Sequence, residues 1–152
     1  MDNTQLDAAL QTEYLHLQKC IEDFDSKALT IKAWSVTFSL VVIVGAFTSH
    51  SSIVLLVAAL ASVLFWFLET LWKSFQLGYY SRTQQIEDHF NGKLHQGAPH
   101  QIGNVWAERW NRTPWSEVIA MSCWPHIALP HVVVAFVGVA LFVMSRFGFV
   151  AV

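Results

Sequence analysis

Three runs free of Asp, Glu, Lys and Arg dominate the pattern of the chain: Ala33–Ser49, Ser51–Leu68 and Ile127–Ser145. As helices rising ~1.5 Å per residue, each is about long enough to cross ~30 Å of hydrocarbon. The link between the first two, Thr48-Ser49-His50-Ser51-Ser52, is short and uncharged, so residues 33–68 read as an antiparallel helical hairpin. Before it, Leu10, Tyr14, Leu17, Ile21, Phe24, Ala28 and Ile31 recur at steps of four and three, while Asp7, Glu13, Glu22 and Asp23 take other positions. That spacing predicts an amphipathic helix over 4–31 with a narrow apolar seam. The seam suits packing on another helix, either from the same chain or from a neighbouring copy. No Pro or Gly stands between Met1 and Val44, so this helix is expected to run straight into the first span.

The second run continues in the same manner. Trp72, Phe75, Tyr79, Ile86 and Phe90 share one stripe, which extends the helix to about Phe90, where Asn91-Gly92 stops it. Residues 91–104 read as a loop and Val105–Arg112 as a short helix. Thr113-Pro114-Trp115-Ser116-Glu117 is a helix start, with Thr as N-cap and Pro at the first helical position. A helix near 114–124 is too short to span and has Trp at both ends, so it reads as interfacial; Pro130 is expected to open the third span. The fold class is therefore an all-α membrane protein. Its parts are a cytoplasmic amphipathic helix (1–31), a two-span hairpin (32–72), a cytoplasmic helical and loop segment (73–126), and a third span with a short external tail (127–152).

Composition agrees: 54% of the 152 residues are hydrophobic and 13% charged, where a soluble domain carries about a quarter charged residues. Three such runs in so short a chain leave too little polar surface to cover them as soluble helices. The first residues are polar and acidic, without an apolar h-region, so the first span is expected to serve as its own insertion signal. Lys19, Lys27, Lys32, Lys73, Arg82, Lys93, Arg109 and Arg112 fall on one side of the hairpin, and only Arg146 lies at the far end of the third run. The positive-inside rule then puts the amino terminus and residues 73–126 in the cytoplasm. Cys20 and Cys123, far apart and on the reducing side, imply no disulfide.

Chemistry enters at three places. In a hairpin turning at His50 and Ser51, residues whose numbers add to about 101 lie level, which sets Lys32 beside Glu69 at the cytoplasmic boundary. A charge at that depth must be paired or wetted, so the two are either a structural ion pair or part of a polar pore mouth, with Lys73 as a competing i+4 partner for Glu69. Ser35, Thr37, Ser39 and Ser62 either line a wet path or bond back to their own helices. Third, Tyr79, Tyr80, Trp106 and Trp110 alternate with Arg82, Arg109 and Arg112 in the segment 79–124. Stacking planes beside cations suit nucleotide or single-stranded DNA recognition, and equally suit an aromatic belt with positive-inside charge. No catalytic motif, metal-ligand spacing or cofactor fingerprint is present; His89, His95 and His100 read as solvated loop residues.

The segment Phe67-Leu-Glu-Thr-Leu-Trp-Lys-Ser-Phe-Gln-Leu-Gly-Tyr-Tyr-Ser-Arg-Thr-Gln-Gln-Ile-Glu-Asp-His-Phe90 follows a two-span hairpin and an amphipathic helix. With them it resembles the small multi-span membrane effectors of bacterial anti-phage defence, closest to the Hailong-type membrane effectors, over roughly residues 1–90. The resemblance implies a homo-oligomer, a tetramer, in the bacterial inner membrane. It implies a nucleotide or single-stranded DNA signal made by a nucleotidyltransferase partner, and a pore whose opening leaks the membrane and arrests growth. On that view Leu10, Tyr14, Leu17, Ile21 and Phe24 form the seam between copies. Lys32, Glu69 and Lys73 form the gate, and Tyr79, Tyr80, Arg82, Trp106, Arg109, Trp110 and Arg112 hold the ligand. The alternative is a non-conducting membrane scaffold that docks a partner protein through its amino-terminal helix.

Overall fold

The computed structural model describes residues 2–152. Five helices follow one another, with no strand among the described residues: α1 (Asn3–Ser49), α2 (Ile53–Phe90), α3 (Ile102–Arg112), α4 (Trp115–Ser122) and α5 (Pro125–Arg146). A capping box starts α1: the Gln5 amide donates to Asp2 Oδ1 at 2.7 Å and the Asp2 amide to Gln5 Oε1 at 3.3 Å, satisfying two otherwise free donors. The helix then runs unbroken for 47 residues, ~70 Å at ~1.5 Å per residue. It stops where His50 takes a left-handed φ of 50°.

Helix α2 returns antiparallel along almost the whole of α1. The pairs across the hairpin run from Asp7 with His89, through Glu13 with Arg82 and Lys32 with Glu69, to Ser39 with the Ala58 carbonyl near the turn. Of these pairs only Lys32 with Glu69 adds to 101; the others add to 95–97, so α2 sits a turn or more out of the level that a turn at His50 sets. Helix α2 ends at Phe90, and Gly92 supplies the positive φ (70°) that turns the chain out of the helix. Two apolar clusters hold the hairpin. Leu6, Leu10, Leu17 and Ile86 pack at the open end, with Tyr14, Tyr79 and Ile102 against them. Ile43, Ala46, Leu55 and Ala58 pack near the turn, with Leu141 and Phe142 of α5 against them.

Helices α3 and α4 lie against α2, and α5 packs on both α2 and α1. At Gly138 a Cβ would come within 3.0 Å of the Leu55 carbonyl and 3.2 Å of Ala59, so small residues bring α5 and α2 backbones close. Three expected boundaries move: α4 runs over Trp115–Ser122 with Pro114, not Thr113, before its first residue, since the Thr113 hydroxyl donates to the Arg109 carbonyl at the end of α3. Helix α3 begins at Ile102, not Val105, and Pro130 lies inside α5, whose first residue is Pro125. Pro125 takes the opening position because its missing N–H would have no intrahelical partner there.

Helices α1, α2 and α5 each contain a stretch long and apolar enough to cross a membrane. Only 17%, 33% and 17% of their most apolar windows are buried inside the protein. Helices of a water-soluble core would bury most of such surface, whereas these present Trp34, Val41, Leu64, Phe67 and Phe136 outward.

Candidate functional site

Between the two apolar clusters the hairpin and α5 enclose a polar layer. Lys32 Nζ lies 2.5 Å from Glu69 Oε1, and Glu69 Oε2 lies 2.9 Å from His131 Nε2. On its other side, His131 Nδ1 lies 2.9 Å from Ser35 Oγ. Each of the three helices contributes: α1 gives Lys32 and Ser35, α2 gives Glu69, and α5 gives His131. Ser62 Oγ donates to the His131 carbonyl at 2.9 Å. Ser35, Ser39, Ser62 and His131 have no accessible surface, and Glu69 keeps 2%.

The hydrogen bonds place one proton. A Glu69 carboxylate only accepts, so His131 Nε2 donates to it, while Nδ1 and the Ser35 hydroxyl share one hydrogen bond whose direction the ring's tautomer sets. Lys32 pairs with Glu69, and the polar atoms of the layer have partners. Among the described residues, no buried side-chain nitrogen or oxygen lacks a partner.

Of the three residues expected at a gate, the structure brings Lys32 and Glu69 together and separates Lys73. Lys73 instead reaches Asp25 at 3.5 Å and donates to Gln76 Oε1 at 2.5 Å, because an i+4 contact to Glu69 cannot match the fit of Lys32 across the hairpin. His131 was not foreseen as a partner. Its signal was positional: with Ile127 and Gly138 it occupies the buried stripe of α5. Ser35, Ser39 and Ser62 point into the layer, while Thr37 is exposed on the outside of α1. Ser35, Ser39 and Ser62 have no accessible surface, so within one copy they face protein.

A second ionic cluster lies toward the open end. Arg82 Nε and Nη2 donate to Glu13 Oε1 and Oε2 at 2.9 and 3.0 Å, and both side chains are 1% exposed. Arg82 Nη1 donates to Gln96 Oε1 and Gln85 Oε1, and Nη2 also donates to the Ala98 carbonyl. All five guanidinium hydrogens thus have acceptors within the chain. Glu13 in turn accepts the backbone N–H groups of His100 (2.8 Å) and Gln101 (3.3 Å), at the start of α3. Burial pushes the Glu13 carboxyl up. The hydrogen bonds and charge of Arg82, with the His100 and Gln101 amides, outweigh that and hold it below the ordinary carboxylate value of 4.5.

This cluster takes Arg82 out of the expected ligand set, because its donors are spent on Glu13 and the 96–98 loop. Arg109 is likewise held by Glu117, with Thr113 Oγ at 3.0 Å. Arg112 stays on the surface beside Glu108, 2.8 Å away. The aromatic residues stack on one another instead of offering free faces. Trp106 and Trp110 are nearly parallel (11°) with centroids 5.9 Å apart, and Phe75 lies 4.9 Å from Trp110. The indole N–H of Trp106 donates to the Phe75 carbonyl at 2.9 Å, and its ring lies where a Cβ on Gly78 would stand, 2.3 Å away. Tyr79 packs on Phe24, centroids 5.4 Å apart. Tyr80 is exposed beneath Lys73, with Nζ 5.9 Å from its ring centre; partial burial and the Asp25 charge raise its phenol.

The amino-terminal seam is occupied as well. Leu10, Leu17 and Ile21 are buried and Tyr14 and Phe24 half-buried against the chain's own α2. His89 also departs from the expected solvated state: Nδ1 accepts the Gln96 amide at 3.0 Å and Nε2 lies 3.0 Å from Asp7 Oδ1. Among the described residues no group of three His, Cys, Asp or Glu side chains is placed to hold a metal. Comparison with protein-family models, curated proteins and solved structures finds no match.

Proposed function

We propose that the chain is an integral membrane effector that assembles as a homo-oligomer and conducts ions. Its gate is the Lys32–Glu69–His131 layer. The observation that carries this reading is a cation, a carboxylate and an imidazole packed in contact among three helices of membrane-spanning length. Ionisable groups buried in membrane-spanning helices are costly unless paired or wetted, and so mark ion or proton pathways. With Ser35, Ser39 and Ser62 buried inside each copy, conduction in this reading runs between copies, along surfaces that the monomer leaves apolar and unpartnered.

Orientation follows from the charge distribution. With eight of nine Lys and Arg on one side of the hairpin, the open end of α1 and α2, together with α3, lies in the cytoplasm of a bacterial cell. Helix α4, with Trp115 exposed beside it, lies along the membrane surface. The nucleotide or single-stranded DNA signal and its nucleotidyltransferase partner keep a much reduced surface, since Arg82 and Arg109 already hold internal carboxylates. Exposed Arg112 and Tyr80 are what remains for them. The scaffold alternative loses the seam it was to use, which α2 fills.

Purified protein in liposomes tests the reading. Wild type is expected to release a trapped ion, and Lys32→Ala or Glu69→Ala to change that leak and the growth arrest on expression in cells. Identical leak and growth for wild type and both variants would remove the gate from this layer.

A further inference from the structure

The geometry points to a proton-binding site at His131, in which Lys32 and the protonated imidazole compete for the single carboxylate of Glu69. The gate reading supplies the consequence, but the site stands on contacts alone. Glu69 gives one oxygen to each rival: Oε1 to Lys32 and Oε2 to His131 Nε2. In the resting arrangement of this proposal the imidazole holds one proton, on Nε2 toward Glu69, and Nδ1 faces the Ser35 hydroxyl at 2.9 Å.

One added proton changes this balance. Nδ1 gains a hydrogen, and the Ser35 hydroxyl, no longer able to donate there, turns to the carbonyl of Ile31 one helical turn back and accepts from Nδ1. The proton comes from hydronium, whose O–H bond breaks as the N–H bond forms, leaving water. The layer then holds two cations against one anion in an apolar surround, an excess charge that such surroundings penalise heavily. Of the two cations, only Lys32 can leave. Its side chain is 21% exposed and sits at the edge of the apolar run, while His131 has no accessible surface and a backbone fixed by Ser62. Protonation therefore hands Glu69 to His131 and releases Lys32 toward water, separating α1 from α2 at the level of the gate.

No other charged group competes. From α1 the imidazole faces Lys32 and Ser35, and from α2 it faces Glu69 and Ser62. On α5 the nearest titratable group is exposed His126, and on α4 Glu117 is held by Arg109. The Glu13–Arg82 pair is bonded to no other titratable side chain and lacks this exchange.

The test is nitrogen NMR of the histidine rings in full-length protein in lipid nanodiscs, with the His131→Gln spectrum used for assignment. At neutral pH His131 is expected to carry its proton on Nε2, with Nδ1 unprotonated. On acidification it becomes doubly protonated. In Lys32→Met, the ratio of doubly to singly protonated ring at pH ~6 rises on the order of tenfold, since a cation near the ring is gone. Lys32→Arg keeps the wild-type ratio. A proton on Nδ1 at neutral pH, or equal ratios in wild type and Lys32→Met, would overturn the proposal. The rings are read without any flux measurement, so a protein that conducts nothing still reports on this site.

Discussion

The chain buries two ion clusters along one hairpin, and they are built to different rules. Glu13 and Arg82 form a closed set: five guanidinium donors meet five acceptors, and two backbone amides complete the carboxylate. Nothing in it is free to exchange. Lys32, Glu69, His131 and Ser35 form an open chain instead, with a half-buried cation at one end, a hydroxyl at the other and an imidazole between that is able to hold one proton or two. The first cluster joins α1, α2 and the loop into α3 and explains why that loop has a fixed path. The second joins three helices of membrane-spanning length and has two self-consistent arrangements. Burial by itself does not distinguish a lock from a switch; the number of unspent donors and the presence of a titratable rival do.

The largest effect is expected at the lock. Arg82→Ala strands the Glu13 carboxylate without its partner and should cost about 3–5 kcal/mol of stability, read by denaturant unfolding in detergent. A loss below about 1 kcal/mol would show that the pair is dispensable, and the contrast between the clusters would fail. Next comes Gly78→Ala. The added methyl meets Trp106 at its ring, so α3 must shift, with a cost of about 1–3 kcal/mol and a change in Trp fluorescence. An unchanged spectrum would mean that α3 is not held there.

The pH dependence of the lock sharpens the difference further. The folded Glu13 carboxyl is depressed, so its contribution is fully present above the unfolded value of 4.5 and is lost as pH falls through the lower folded value. Acid unfolding of the α3 region followed by amide exchange should show this loss, and Glu13→Gln should abolish that part of the pH dependence. A variant with the wild-type acid profile would assign the loss to other groups. The smallest effect belongs to Arg112→Ala. Its pair with Glu108 is largely exposed, so unfolding should shift by less than about 0.5 kcal/mol. A larger shift would give the surface of α3 a role that the clusters do not explain.

Much of the fold was readable in the residue pattern because helical periodicity and uncharged run length are local properties. The stripe through Phe75, Tyr79, Ile86 and Phe90 with the Asn91-Gly92 stop gave α2 its end, and the turn at His50 gave the level of Lys32 and Glu69. The lock was readable too, and was missed. Glu13 lies between Leu10 and Leu17 on the seam, and Arg82 between Tyr79 and Ile86 on the facing stripe, so opposite charges stood on both buried faces, although the level rule set Glu13 nearer Asp88 than Arg82. Counting Arg82 as a surface cation ignored its place on that stripe. His131 was harder. Its depth in the third run is legible, but the rotation of α5 that turns it toward Glu69 follows from close packing at Gly138, which depends on the shape of α2.

Ion flux from liposomes measured side by side for wild type, Glu13→Gln and Glu69→Gln sets the two clusters against each other most directly. The account predicts that Glu69→Gln alters the leak, while Glu13→Gln weakens the fold and leaves the leak of correctly folded protein as in wild type. Equal leak in all three proteins, or a leak altered only by Glu13→Gln, would contradict it.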